Sequence, residues 1–182
     1  MQVLDKHFIP YISNQDIQTR IDALASQINE DYAGKSPLFI GILNGSFIFA
    51  ADLYQRITLP STISFIKLVS YKGTTSTGTV ITSIGLEEEL TDKDIIIIED
   101  IVDTGKTLTE FLPTLWNQQP KSIRICTLLQ KPEALKHPLK VDYVGFEIPD
   151  KFVVGYGLDY DGFGRNSRDI YQIAEESLSV LD

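Results

Sequence analysis

One segment, residues 95–108 with the sequence IIIIEDIVDTGKTL, constrains the fold of this chain more than any other. Its four consecutive isoleucines predict a strand that is buried on both faces, as in a parallel sheet. Acidic residues follow at the carboxyl end of the strand, and Thr-Gly-Lys-Thr then opens a helix. Backbone N–H groups at a helix N-terminus bind phosphate, whereas neighbouring carboxylates would repel it. The segment therefore predicts a ligand with both a phosphate and neutral hydroxyls, such as a ribose 5-phosphate.

Two better-known phosphate-binding motifs fail on spacing. A Walker A loop needs a glycine where Asp100 stands, five positions before Gly105. A dinucleotide fingerprint beginning at Gly155 would need a further glycine where Tyr160 stands. The structural alternative to a ligand site in residues 95–108 is an ordinary buried strand, followed by a solvated acidic turn and a capped helix.

Strands and helices alternate along the chain, which predicts an α/β fold with a mostly parallel sheet flanked by helices. In the second helix, Phe47, Ala50, Ala51 and Tyr54 share one face, which is expected to point inward. Ligands on such sheets bind beyond the carboxyl ends of the strands. The predicted helices cover residues 13–34, 46–57 and 105–118, and the predicted strands cover residues 38–43, 61–71, 80–84, 95–99, 122–128, 141–146 and 153–156.

Composition narrows the class of protein. A chain of 182 residues with 43% hydrophobic content suits a single domain, residues 1–182, with a full core. It has no apolar run near the roughly 20 residues of a membrane span, and no signal peptide at its N-terminus, so we expect a cytoplasmic protein that binds no membrane. The net charge of −9 argues against nucleic-acid binding. Because the expected ligand is itself an anion, this charge also predicts a divalent cation.

The segment Glu99 to Thr107 resembles the ribose-phosphate signature of the type I phosphoribosyltransferases, and the chain as a whole is most similar to the hypoxanthine-guanine phosphoribosyltransferases. The resemblance implies that family's fold, with a small hood and a mobile active-site loop. It also implies purine salvage: Mg²⁺-dependent transfer of the 5-phosphoribosyl group from phosphoribosyl pyrophosphate to hypoxanthine and guanine, which gives IMP or GMP and pyrophosphate. Further matching segments are residues 43–46, 69–71, 128–131 and 147–160.

The resemblance assigns roles to the acidic residues. Glu99 and Asp100 correspond to the ligands of the ribose diol, and together with Asp159 they are the expected Mg²⁺ ligands. Asp103 corresponds to the catalytic residue that takes the proton from purine N7; capping the helix is its structural alternative. Lys106 either contacts the phosphate or is simply solvated. The expected ribose and phosphate site comprises Glu99, Asp100, Asp103, Thr104, Gly105, Lys106 and Thr107.

Lys131 corresponds to the lysine that donates a hydrogen bond to the oxygen at purine C6. Adenine presents an amino group there, so a buried ammonium would be left unpaired and adenine would be excluded. Phe152 is expected to stack on the base and the Val153 backbone to meet its N1 edge. Asp159 completes the expected purine site. The structural alternative for Lys131 is a solvated side chain at the end of its strand. For Phe152 and Val153 it is ordinary core packing.

The remaining assignments concern pyrophosphate and the loop over the site. Leu43, Asn44 and Gly45 resemble the family's pyrophosphate loop, which often contains a non-proline cis peptide bond. Asn44 stands where many members have a basic residue, so backbone N–H groups and metal would have to compensate more of the charge. Arg165 corresponds to an arginine that contacts pyrophosphate. Ser70 and Tyr71 open the Gly- and Thr-rich stretch 72–78, which we expect to close over the site.

Two other functions stay open at the level of sequence. The same fold could serve a nucleotide-sensing regulator that binds RNA or DNA, although such proteins usually have a basic face. The second open function is that of a phosphoribosyltransferase that prefers xanthine as its base. The expected partners are small-molecule substrates and further copies of the chain, in a homodimer or homotetramer.

Overall fold

The computed structural model describes residues 1–70, 80–84 and 88–174, and its described part is built around one twisted α/β sheet. Within these residues, five parallel strands and one antiparallel edge strand lie in the order β5-β4-β3-β6-β7-β8. The strands of this sheet are β3 (Leu38–Leu43), β4 (Thr62–Ser70), β5 (Val80–Ile84), β6 (Asp94–Val102), β7 (Ser122–Gln130) and β8 (Tyr143–Glu147). The predicted α/β fold is confirmed.

The isoleucine run occupies the centre of the sheet, as predicted. Ile96 and Ile98 pack on one face against α1 (Asn14–Asp31) and α2 (Phe47–Tyr54), whereas Ile95 and Ile97 pack on the other face against α3 (Lys106–Trp116). All four side chains are fully buried, because a parallel strand between helical layers has no solvent-facing side. The carboxyl ends of β3, β6 and β7 therefore meet along one edge of the sheet.

The helices begin and end close to the predicted positions. The Ser13 hydroxyl accepts a hydrogen bond from the Asp16 N–H and caps α1, and Ile17, Ile21, Leu24 and Ile28 form its buried face. The predicted inward face of α2 is partly right. Ala50 is buried and Tyr54 packs against the core, but Phe49 and Leu53 are the other buried residues, while Ala51 is exposed and Phe47 is 42% exposed. Because α2 is apolar nearly all round, its sequence does not select one face.

A second, smaller sheet forms the hood. It contains β1 (Gln2–Val3), β2 (Lys6–Ile12), β10 (Ile170–Ile173) and β9 (Val153–Val154), all antiparallel and in that order. The sequence had predicted only a strand over residues 153–156. Pairing of β2 with β10 joins the two ends of the described chain, and β10 in turn pairs with β9, the strand that directly follows Phe152.

Candidate active site

A short loop between β6 and α3 forms the expected phosphate cradle. Residues 101–108, together with Glu99, line a cavity of about 90 Å³. Gly105 has a φ of 77° and its β-position lies 3.0 Å from Leu135 Cδ1, so both conformation and space favour glycine. The Thr104 carbonyl accepts hydrogen bonds from the N–H groups of Lys136 and His137, at 3.1 and 3.2 Å, which fix the loop from behind.

Within the cradle, the backbone N–H groups are better placed to bind a phosphate than the Lys106 side chain is. The Lys106 side chain is 55% exposed, and its Nζ lies 3.8 Å from Glu110 Oε1, one turn along the same helix. The first N–H groups of α3 have no partners inside the helix, and that of Lys106 makes only a long 3.4 Å hydrogen bond to the Thr104 hydroxyl, so an anion can replace it.

Glu99 and Asp100 stand at the end of β6 in a poorly solvated position. Glu99 Oε2 is buried and has no hydrogen-bond partner among the residues that the structure describes. Burial, followed by the neighbouring charge of Asp100, raises the pKa of Glu99 well above its usual value. Burial also raises the pKa of Asp100 to about 6, against the opposing effect of two backbone hydrogen bonds and the charge of Arg165. Two adjacent carboxyl groups held in this way favour a hydroxyl donor or a cation as their ligand.

The expected pyrophosphate loop lies directly against these acids. The Leu43–Asn44 peptide bond is cis, as the family resemblance implies. A β-carbon on Gly45 would lie 1.6 Å from Asp100 Oδ2, and one on Gly157 would lie 2.1 Å from the Gly45 carbonyl oxygen. The loops that carry Gly45, Asp100 and Gly157 are distant in sequence but are packed against one another. Glycine at positions 45 and 157 leaves the space that this packing needs.

Arg165 and Asp159 complete this side of the site. Arg165 Nη2 lies 2.7 Å from Asp159 Oδ1, and its Nη1 donates a 2.6 Å hydrogen bond to the Gly157 carbonyl. Asp159 Oδ2 accepts a 2.6 Å hydrogen bond from the Gly162 N–H. Arg165 is thus held beside the Gly45 loop, while both oxygens of Asp159 already have protein partners.

The expected purine site forms around Lys131, which follows β7 and is 6% exposed. Lys131 Nζ donates hydrogen bonds to Asp103 Oδ2 at 2.9 Å and to Asp150 Oδ1 at 3.0 Å. Although burial lowers the pKa of Lys131, these hydrogen bonds and charges raise it above its usual value. The lysine is therefore a charged donor fixed beside Asp103, which argues against the alternative of a merely solvated side chain.

The segment that follows Asp150 carries an exposed aromatic ring. Phe152 is 45% exposed and meets the Tyr160 ring edge-to-face at 5.8 Å, while Val153 is buried in β9. An exposed phenylalanine ring supported from behind by a second aromatic is suited to stacking on a planar base. Core packing accounts for Val153 but not for Phe152.

The donor set was tested for a divalent cation. Among the described residues, no three acidic, histidine or cysteine side chains lie close enough to form a metal site from protein alone. The paired carboxyl groups of Glu99 and Asp100 do fit Mg²⁺, because this ion is usually bound by one or two carboxylates together with substrate oxygens and water. Each oxygen of Asp159 contacts one protein donor, Arg165 or the Gly162 N–H, and keeps a lone pair for an ion, but its charge is shared with Arg165.

Two features of the site were not predicted. Asp150 is the second carboxylate on Lys131, and its role depends on a contact that no local pattern reveals. A polar cluster supports the Gly155–Gly157 turn: the Tyr156 hydroxyl donates to Asp52, which also accepts from Gln18 at 2.9 Å. Of the expected loop residues, Ser70 ends β4, and Tyr71 lies outside the described residues.

The chain belongs to the phosphoribosyltransferase family, since residues 11–161 match the family model of the phosphoribosyl transferase domain. Within that family its relatives include hypoxanthine and hypoxanthine-guanine phosphoribosyltransferases. The hypoxanthine phosphoribosyltransferase of Buchnera aphidicola is 43% identical over 159 residues, which are 85% of this chain and 90% of the relative.

Solved structures agree with this placement. A hypoxanthine-guanine phosphoribosyltransferase from Bacillus anthracis superposes with a TM-score of 0.87 at 40% identity, over 91% of this chain and 98% of that one. The Trypanosoma cruzi hypoxanthine phosphoribosyltransferase superposes with a TM-score of 0.88 at 32% identity, over 99% and 98%. The predicted type I phosphoribosyltransferase fold is confirmed.

No helix in the described ranges is both long and apolar enough to span a membrane.

Proposed function

We propose that this enzyme transfers the 5-phosphoribosyl group from phosphoribosyl pyrophosphate to hypoxanthine, and to guanine, in purine salvage. The observation that carries the proposal is the 2.9 Å contact between Lys131 and Asp103 at the open end of the phosphate cradle. A 6-oxopurine presents O6 and N7 side by side on one edge. A fixed ammonium and a neighbouring carboxylate are the pair of groups that this edge requires.

In this proposal the ribose phosphate lies in the cradle and its diol on the acids of β6. The 5-phosphate accepts hydrogen bonds from the backbone of residues 103–107 and from the hydroxyls of Thr104 and Thr107. Pyrophosphate lies between the Gly45 loop and Arg165. We propose that residues 1–182 form a single domain, which binds both substrates along one edge of its sheet.

The reaction joins purine N9 to ribose C1′ as the bond from C1′ to pyrophosphate breaks. Asp103 accepts the proton from N7, and Lys131 donates to O6, where negative charge grows as that proton leaves. Phe152 stacks on the base and the Val153 backbone meets its N1 edge. Adenine would place an amino group against the Lys131 ammonium, so it should be rejected.

A divalent cation, which we propose to be Mg²⁺, would be held by Glu99 and Asp100 together with oxygens of the diol and of pyrophosphate. When bound, it compensates the charge of pyrophosphate, which Asn44 does not do in this chain. Asp159 would join it through a lone pair that its contacts with Arg165 and Gly162 leave free.

We also propose a cytoplasmic location and a homodimer or homotetramer. The absence of a membrane-spanning helix in the described ranges is compatible with this location. The work on the Trypanosoma cruzi relative concerns the role of its C-terminal region in oligomeric state and activity.

The test is a spectrophotometric assay of hypoxanthine, guanine, xanthine and adenine with phosphoribosyl pyrophosphate, in Mg²⁺ and in EDTA. We expect turnover of hypoxanthine and guanine, a value of kcat/KM for adenine lower by at least about 10³-fold, and no turnover in EDTA. If xanthine were the preferred base, the proposed substrate would change from hypoxanthine and guanine to xanthine. Failure with every 6-oxopurine would overturn the proposal.

A further inference from the structure

The ammonium group of Lys131 is held by carboxylates from two different loops. Asp103 comes from the loop after β6, and Asp150 from the segment between β8 and β9. An ammonium group has three N–H donors, and these two hydrogen bonds use two of them. In the proposed function the third donor is available for O6 of the base.

We infer that Asp150 is a positioning residue, which holds the Lys131 ammonium in place while Asp103 acts on the base. The inference rests on the proposed function. Asp103 cannot serve both purposes throughout the reaction, because the same carboxylate must receive the N7 proton.

The course of charge during the reaction explains why a second carboxylate is needed. When the N7–H bond breaks and the proton moves to Asp103, that carboxylate becomes a neutral acid and attracts the ammonium group less strongly. Asp150 then remains as the anionic partner that the structure gives to Lys131. It keeps the lysine directed at O6 at the stage when O6 gains charge.

The position of Asp150 in the chain adds a second consequence. Asp150 lies two residues before Phe152, and the Ile148 N–H donates a 2.8 Å hydrogen bond to the Gln130 carbonyl, next to Lys131. The ion pair between Asp150 and Lys131 is therefore a second link between these two segments. It sets the spacing between the group that reads C6 and the ring on which the base stacks.

Asp22 provides a matched control. Its side chain is 65% exposed and pairs with Arg56, while the Asp150 side chain is 62% exposed and pairs with Lys131. Asp22 lies on α1 and belongs to none of the segments that form the site. Replacing either residue by asparagine removes one partly exposed charge from an ion pair and conserves shape.

The experiment measures kcat/KM for hypoxanthine and KM for phosphoribosyl pyrophosphate in Asp150→Asn, Asp150→Ala, Asp150→Glu and Asp22→Asn. We expect Asp150→Asn to lower kcat/KM for hypoxanthine about tenfold, as for loss of one hydrogen bond between charged groups. KM for phosphoribosyl pyrophosphate should stay within twofold of the wild type. Asp150→Ala should lose more activity, Asp150→Glu should recover most of it, and Asp22→Asn should match the wild type.

The outcomes separate this inference from the proposed function. If the wild type converts hypoxanthine and Asp150→Asn does so equally well, Asp150 has no positioning role and the proposed function stands. An equal loss toward both substrates would assign Asp150 to general folding and overturn the inference. If the wild type converts no 6-oxopurine, both proposals fail.

Discussion

Gly45 and Asp100 are packed so closely that no side chain fits between them. A β-carbon on Gly45 would lie 1.6 Å from Asp100 Oδ2 and 2.4 Å from its Cγ. The acid is itself partly buried at the end of β6, which restricts the directions in which its carboxyl group can move. The two loops are therefore positioned by each other, and the geometry of one depends on the smallest residue of the other.

Gly45→Ala should therefore disrupt the site. We expect kcat/KM for phosphoribosyl pyrophosphate to fall by at least about 100-fold, the effect of displacing bound groups by about 1 Å. Gly34→Ala is the control, since Gly34 has a φ of 75° but, apart from its chain neighbours, no atom of the described residues lies within 4 Å of its β-position. It should lower the free energy of unfolding by about 1 kcal/mol and leave kcat/KM unchanged. Full activity in Gly45→Ala would show that Asp100 can shift freely.

Asp100→Asn should make the protein more stable at neutral pH. The pKa of Asp100 is about 6 in the folded protein and near 3.8 when unfolded, so the folded state binds the proton more tightly. Stability from this group is therefore lost as pH rises from about 4 to 6. In urea titrations with EDTA, the variant should exceed the wild type by up to about 3 kcal/mol at pH 8, with no difference below pH 4.

Asp22→Asn serves as the control for that measurement, because Asp22 is exposed. It should show no comparable gain at pH 8. A wild type that is as stable as Asp100→Asn throughout this range would mean that the carboxylate is well solvated.

Asp103→Asn should slow turnover while leaving the first substrate bound. The amide keeps the shape of the carboxylate but cannot accept the N7 proton, so kcat for hypoxanthine should fall about 10²- to 10⁴-fold. The dissociation constant of phosphoribosyl pyrophosphate, measured by calorimetry, should change by less than about threefold, since the cradle binds through backbone groups. An unchanged kcat would remove Asp103 from the mechanism.

Lys131→Ala should affect the base and not the sugar. We expect kcat/KM for hypoxanthine to fall at least about 100-fold, because the variant leaves two carboxylates without their cation. The ratio of kcat/KM for hypoxanthine to kcat/KM for adenine should also fall, because the variant lacks the group that discriminates between the two bases. Lys121→Ala is the control, as its side chain is 64% exposed and its Nζ lies 3.9 Å from Asp94. An unaltered ratio for Lys131→Ala would disprove the C6 contact.

Much of the fold was predictable because its signals are local. The run Ile95–Ile98 predicted a doubly buried strand, and the Ser13 cap with its apolar periodicity predicted α1. The hood was mostly missed because β2 contains Pro10 and pairs over most of its length with β10, which lies at the far end of the described chain. A strand that depends on a distant partner leaves little trace in its own sequence.

The candidate site divides in the same way. By itself, the sequence determined the phosphate cradle and its acids, since a strand, a glycine turn and a helix N-terminus follow one another along residues 95–108. Only the tertiary structure decided that Lys131 would meet Asp103 and Asp150, and that Gly45 would touch Asp100. These contacts are set by strand order and by the distances between loops, which arise when the sheet assembles and which no single segment encodes.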